Sequence, residues 1–138
     1  MSIKETGTIQ RYSDGDIIIS EGIVSNNAYV VISGQVRITK KVNNKTVVVG
    51  TLKEGEVFGE MGLIAETVRS ASVVAAGDIT VGIIDKEAFE KLLESLPNDL
   101  RAVVAALVER LKMTTNVLTR VGLELDNTRN KLQSFTMK

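Results

Sequence analysis

Gly55-Glu56-Val57-Phe58-Gly59-Glu60-Met61-Gly62-Leu63-Ile64-Ala65-Glu66-Thr67-Val68-Arg69-Ser70-Ala71-Ser72-Val73 is the most informative segment of this chain. Its three glycines within eight residues permit close backbone approach. The spacing predicts a helical turn over Glu60 to Ile64, whose first N–H groups lack intrahelical partners and attract an anion. Arg69 follows, the only arginine between residues 38 and 100. A lone arginine is usually a solvated surface residue. Here its neighbours Ser70, Ala71 and Ser72 are small, so a ligand can come down onto the main chain. The guanidinium is a planar fork matched to phosphate oxygens. On this reading Arg69 neutralises a phosphate, and backbone N–H groups near Gly59 to Met61 and Ser70 to Ala71 donate to it. Glu60 would repel that phosphate, so it is expected to accept hydrogen bonds from a neutral hydroxyl such as a ribose 2′-OH. Phosphate and ribose together indicate a nucleotide.

Outward from this segment, residues 1 to 84 read as short strands rich in Val, Ile and Thr: Ile17 to Ile19, Tyr29 to Ile32, Val36 to Thr39, Val47 to Val49, Ser72 to Ala75 and Val81 to Ile84. Asp14-Gly15-Asp16, Ser33-Gly34 and Asn43-Asn44 supply turn chemistry between them. Many short strands at close spacing predict a sandwich or barrel. Aromatic residues are only 4% of the chain, so aliphatic side chains must fill the core.

From Asp85 the period becomes helical. Asp85 is an expected N-cap for a short helix burying Ala88, Phe89, Leu92 and Leu93. Pro97 marks the first turn of a second helix that can run for roughly 40 residues, about 60 Å. Val104, Leu111, Leu118, Leu125 and Leu132 recur every seven residues, with Leu100, Leu107, Thr114, Val121 and Thr128 in the companion row. This pattern is a coiled-coil seam and predicts a parallel homodimer through 97–138. The plainer reading is an amphipathic helix folded back on its own sandwich. Gly122 costs about 1 kcal/mol relative to alanine, and Thr114 and Thr128 dilute the seam, so fraying is expected towards the distal end.

The segment resembles the phosphate-binding cassette of the cyclic nucleotide-binding domain family. That cassette reads phenylalanine-glycine-glutamate, an apolar residue, a small residue and leucine, then a variable loop, then arginine, a small residue, alanine and a hydroxyl residue. Phe58-Gly59-Glu60-Met61-Gly62-Leu63 and Arg69-Ser70-Ala71-Ser72 fill it completely. The loop has the length seen in regulatory subunits of cyclic-AMP-dependent protein kinase. Asp14-Gly15-Asp16, Glu21-Gly22, Asn26 to Val31 and Ser33-Gly34-Gln35-Val36 look like the family's early strands and turns, so the resemblance covers about residues 8 to 118. Val68 departs from it, because many members have proline before the arginine; a looser loop is expected there.

The resemblance implies a mainly β fold with α, a jelly-roll β-sandwich with flanking helices over 1–96, and a long dimerisation helix over 97–138. It implies ligand contacts from Gly59, Glu60, Met61, Leu63, Arg69, Ser70 and Ala71. Glu60 would bind the ribose 2′-OH and Arg69 the cyclic phosphate, while Gly59 and Ala71 present N–H groups. Ser70 would offer its hydroxyl to the phosphate, or to a syn base. The long helix resembles the dimerising helix of the catabolite-activator type, which places Thr114 and Thr115 where a threonine-serine pair contacts adenine. This implies cyclic AMP as ligand, with cyclic GMP as the alternative, and no further cofactor.

Composition limits the other functions. The chain has 138 residues, enough for one ordinary domain, and carries seventeen basic against seventeen acidic side chains. With no net field and no basic arm, direct DNA binding is not expected. Any helix-turn-helix or other effector is expected on a partner chain or outside these residues. The chain contains no cysteine and no histidine, which removes thiolate chemistry, the commonest zinc ligands and every Ser-His-Asp arrangement. A metal-free cupin-like isomerase remains an alternative, as does an interaction module with a vestigial pocket. MSIKETGTIQ has no signal-peptide core and no run approaches about 18 apolar residues, so a cytoplasmic, non-membrane location is expected.

Overall fold

A computed structural model describes residues 8–65 and 68–136. The chain divides after Leu96 into two compact units. Among the described residues the first holds six antiparallel strands: β1 (Thr8–Tyr12), β2 (Ile17–Ile19), β3 (Ala28–Val42), β4 (Lys45–Leu52), β5 (Val57–Phe58) and β6 (Ser72–Ile84). The sheet runs β1-β6-β3-β4, with β2 also paired to β6 and β5 to β3. It is mainly antiparallel, belongs to the β-sandwich type and is not closed.

Two pairs of expected short strands are single long ones. Tyr29 to Ile32 and Val36 to Thr39 are both parts of β3, and Ser72 to Ala75 and Val81 to Ile84 are both parts of β6. Ser33-Gly34 is therefore not a turn between strands. Register shifts at Val31/Ser33 and Ser33/Gln35 make it a bulge, with pairing resuming at Gln35↔Ala76 and running to Thr39↔Ser72. Gly34 at φ 92° and Gly77 at φ 81° lie at this corner, in a backbone region closed to most side chains. The ladder is interrupted there without ending, so β3 and β6 stay paired on both sides of the bulge. β1 and β5 carried too weak a strand pattern to be expected.

The core is aliphatic, as the composition requires. Val31, Val36 and Val81 are its most deeply buried side chains, joined by Ile19, Val73, Ala75 and Ile79. Tyr29 stacks on Phe58 with ring centroids 5.0 Å apart. Asn43 and Asn44 take φ of 52° and 65°, the two left-handed residues of the β3–β4 hairpin. The Asp85 side chain accepts from the Ala88 N–H at 2.8 Å and starts α1 (Lys86–Glu94), on which Ala88, Phe89, Leu92 and Leu93 are half-buried.

The second unit is α2 (Asn98–Thr136), preceded directly by Pro97, whose carbonyl accepts from the Arg101 N–H at 2.8 Å. The helix continues through Gly122 for 39 residues. Within the single chain its seam residues Leu100, Leu107, Leu111, Leu118, Val121, Leu125 and Leu132 are exposed, Leu118 at 66%. Thr114 and Thr128 send their hydroxyls back to the carbonyls of Arg110 and Glu124, each at 2.9 Å. Among the described residues no helix is long and apolar enough to cross a membrane.

A Cβ added at Gly34 would lie 2.6 Å from the Asp78 carbonyl oxygen, whereas one at Gly77 meets nothing within 4 Å. Gly34→Ala is therefore expected to lower stability by about 3 kcal/mol and Gly77→Ala by about 1 kcal/mol in urea denaturation. Equal losses would show that close approach at the corner is not the constraint.

Candidate functional site

The site begins where β5 ends. Phe58 is buried in the core, and Gly59 turns the chain with φ 73° into a 3-10 turn over Glu60–Leu63. This confirms the expected helical turn in a tighter form. Ile64 and Ala65 close it by donating to the Met61 carbonyl at 3.2 and 2.9 Å. Glu60 is exposed at its start, Met61 is half-buried, and Gly62 and Leu63 are buried. The chain returns at Val68, bridged to Val24. Arg69 is then held by its own backbone: its N–H donates to the Ile23 carbonyl at 3.0 Å, and its carbonyl accepts from the Gly22 N–H at 2.8 Å.

This clamp places the Arg69 side chain inside, 9% exposed. Nη1 donates to the Gly59 carbonyl at 2.8 Å, and Nη2 donates to the carbonyls of Asn27 at 2.7 Å and Ser25 at 3.2 Å. The buried Nε has no partner. Among the described residues no carboxylate lies within ion-pair distance; the ion pairs are Lys91–Glu87 and Lys112–Glu109, both elsewhere. Burial pulls the Arg69 pKa below the ordinary arginine value, while Tyr29 and Glu60 act in the opposite sense. Carbonyl dipoles thus solvate the cation without neutralising it. A buried charge with only partial compensation carries a desolvation cost that an anion at the guanidinium would reduce.

Small residues make the arrangement possible. A Cβ at Gly62 would overlap Nη2 of Arg69 and the Ser25 carbonyl oxygen. One at Gly59 would lie 2.9 Å from Ile19 Cδ1 and 3.2 Å from the Asn27 carbonyl oxygen. A cavity of about 170 Å³ adjoins the guanidinium, lined by Ile18, Ile19, Ser20, Ile23, Ser25 and Arg69. Beyond Arg69, Ser70 is exposed and its carbonyl accepts from Lys40 Nζ at 3.0 Å; Ala71 is half-buried. The Ser72 hydroxyl accepts from the Glu21 N–H at 2.8 Å, and Glu21 Oε1 accepts from the Lys41 N–H at 3.0 Å.

Gly59, Glu60, Met61, Leu63, Arg69, Ser70 and Ala71 are therefore brought to one neighbourhood by the clamp. Thr114 and Thr115 occupy adjacent positions of α2 in the other unit, Thr114 exposed and Thr115 half-buried. Sequence reasoning missed the carbonyls of Ser25 and Asn27. They act through main-chain oxygens that any residue type supplies, so side-chain identity gave no signal. Three of the five guanidinium N–H donors are thus taken by protein carbonyls, and Nε is buried without a partner.

Gly62→Ala is expected to cost about 2 kcal/mol of stability by crowding the guanidinium, and less in an Arg69→Ala background where one clash partner is gone. Strictly additive losses in a denaturation double-mutant cycle would contradict this packing.

With the geometry established, comparison with known proteins is informative. Residues 9–96 match the family profile described as Cyclic nucleotide-binding domain. The chain is 42% identical over 82 residues to a cAMP-dependent protein kinase regulatory subunit of Schizosaccharomyces pombe, an alignment covering 59% of this chain and 19% of that protein. It is 33% identical over 105 residues to the Homo sapiens cGMP-dependent protein kinase 2, covering 72% and 14%. It thus spans less than a fifth of the length of either relative. Among solved structures it resembles the catabolite activator protein of Thermus thermophilus, with TM-score 0.64 and 28% identity over 85% of this chain and 57% of that one. The matched segment includes the clamp, the 3-10 turn and the buried arginine, and the chain belongs to the cyclic nucleotide-binding domain family, as a regulatory domain homologous to cAMP- and cGMP-binding proteins.

Proposed function

We propose that this chain is a sensor that binds cyclic AMP and passes the binding event to a helical homodimer. The observation that carries the reading is the Arg69 guanidinium, buried without a carboxylate and left with an unpartnered Nε. In the proposal the cyclic phosphate supplies the missing anion. Gly59 and Ala71 donate backbone N–H groups to it, and Ser70 offers its hydroxyl. Glu60, exposed beside the arginine without pairing to it, accepts from the ribose 2′-OH. Met61 and Leu63 flank the ligand from the 3-10 turn.

For the base, the Thr114 hydroxyl, whose proton goes to the Arg110 carbonyl, keeps its lone pairs to accept with, and Thr115 follows it on α2. Cyclic AMP is favoured over cyclic GMP on the resemblance of α2 to an adenine-contacting helix, and on the most similar of the kinase relatives above being a cAMP-dependent one. Residues 1–96 are assigned as the nucleotide-binding domain and 97–138 as the dimerisation helix. The exposed leucines of α2 support the second assignment, because a row of seam residues left in water gains from burial against a second copy. The base is the coupling element: a ligand shifts an equilibrium only by differential affinity for two arrangements. The output passes to an effector on a partner chain or outside these residues. This is a non-catalytic role.

Calorimetric titration tests the site. The wild-type chain is expected to bind cyclic AMP more tightly than cyclic GMP, and Arg69→Ala to weaken binding by roughly two orders of magnitude, the scale of a lost charge-assisted contact. Unchanged affinity in the variant refutes the role of Arg69. For the dimer, Leu118→Asp is expected to give monomers by light scattering, while a variant that keeps the dimer mass would place the interface elsewhere.

A further inference from the structure

Lys40 lies near the end of β3, on the face shared by Val36 and Ile38 in the two-residue alternation of a strand. Val36 is buried and Ile38 half-buried, while Lys40, past the core at the strand's end, is exposed. The pairs Ile38↔Val73 and Thr39↔Ser72 carry that face to the point where the cassette enters β6. There the Lys40 ammonium donates to the Ser70 carbonyl at 3.0 Å. Among the described residues no carboxylate lies within ion-pair distance of it. Its neighbours Lys41 and Lys45 make no such return contact through their side chains among the bonds described.

The contact matters because of what shares its peptide. The Ser70 carbonyl and the Ala71 N–H are opposite ends of one planar trans amide. A cation bonded to the oxygen polarises that amide and makes its N–H a stronger donor, as in any hydrogen-bonded chain. It also fixes the peptide plane, with the carbonyl turned to Lys40 and the N–H turned away from it. We propose that Lys40 is a positioning residue for the cyclic phosphate, orienting and polarising the Ser70–Ala71 amide from behind. The role rests on the assignment of Ala71 N–H as a phosphate donor made above. Arg69 meets the anion directly; Lys40 acts on it through the backbone. From the other flank Glu21 ties Ser72 to Lys41, so the cassette's exit is held on both sides and Lys40 is the only charged side chain bonded to the Ser70 carbonyl among the described residues.

The test is calorimetric titration of cyclic AMP into wild type, Lys40→Met and Lys40→Arg, at about 0.02 M and about 0.5 M salt. Lys40→Met is expected to bind about fivefold more weakly at low salt, with an unchanged melting temperature, and Lys40→Arg to recover most of the loss. The difference is expected to shrink at high salt, which a purely structural role would not produce. Equal constants for wild type and Lys40→Met would overturn the role of Lys40 and leave the nucleotide site standing. A loss that arginine does not restore and salt does not change would overturn it too, assigning Lys40 to packing. No binding of cyclic AMP or cyclic GMP by wild type would instead overturn the nucleotide reading, and this role with it.

Discussion

A positive charge taken out of water and surrounded by three carbonyl oxygens organises the first unit. The oxygens come from two segments far apart in sequence: Ser25 and Asn27 ahead of β3, and Gly59 at the end of β5. Because a guanidinium is rigid and planar, these segments must meet at fixed distances or the desolvated charge is left with nothing. Ion pairs usually play this part. Here dipoles do, and in the proposed site the difference matters, since a carboxylate would cancel the field that a phosphate would meet.

That constraint explains the local sequence. Gly59 takes a left-handed conformation to deliver its carbonyl, and Gly62 leaves the volume that the guanidinium occupies. The backbone of Arg69 bonds to Gly22 and Ile23, so the loop that follows β2 is part of the site. The corner at Gly34 and Gly77 serves a related end at larger scale, by letting β3 and β6 remain paired around a bend and bring β5 and the start of β6 together.

Much of this was legible in the sequence, for physical reasons that differ by element. Asn43-Asn44 and Asp85 act through their own side chains and local backbone preferences, so the hairpin and the N-cap could be read directly. Pro97 and the heptad rows announced α2 in the same way. The helical turn after Gly59 was readable from residue type and spacing. The bulge at Ser33-Gly34 was not, because a serine-glycine signal is the same for a turn and for a bulge, and only partner-strand register separates them. The carbonyl cage was invisible for a deeper reason: main-chain oxygens carry no residue identity.

The length of α2 has a mechanical consequence. At 1.5 Å per residue its 39 residues reach about 58 Å, so a tilt of about 10° imposed at the first turn sweeps the last turn through about 10 Å. Geometrically, such a rod turns a sub-ångström adjustment near its first turn into a displacement of several ångströms at its far end.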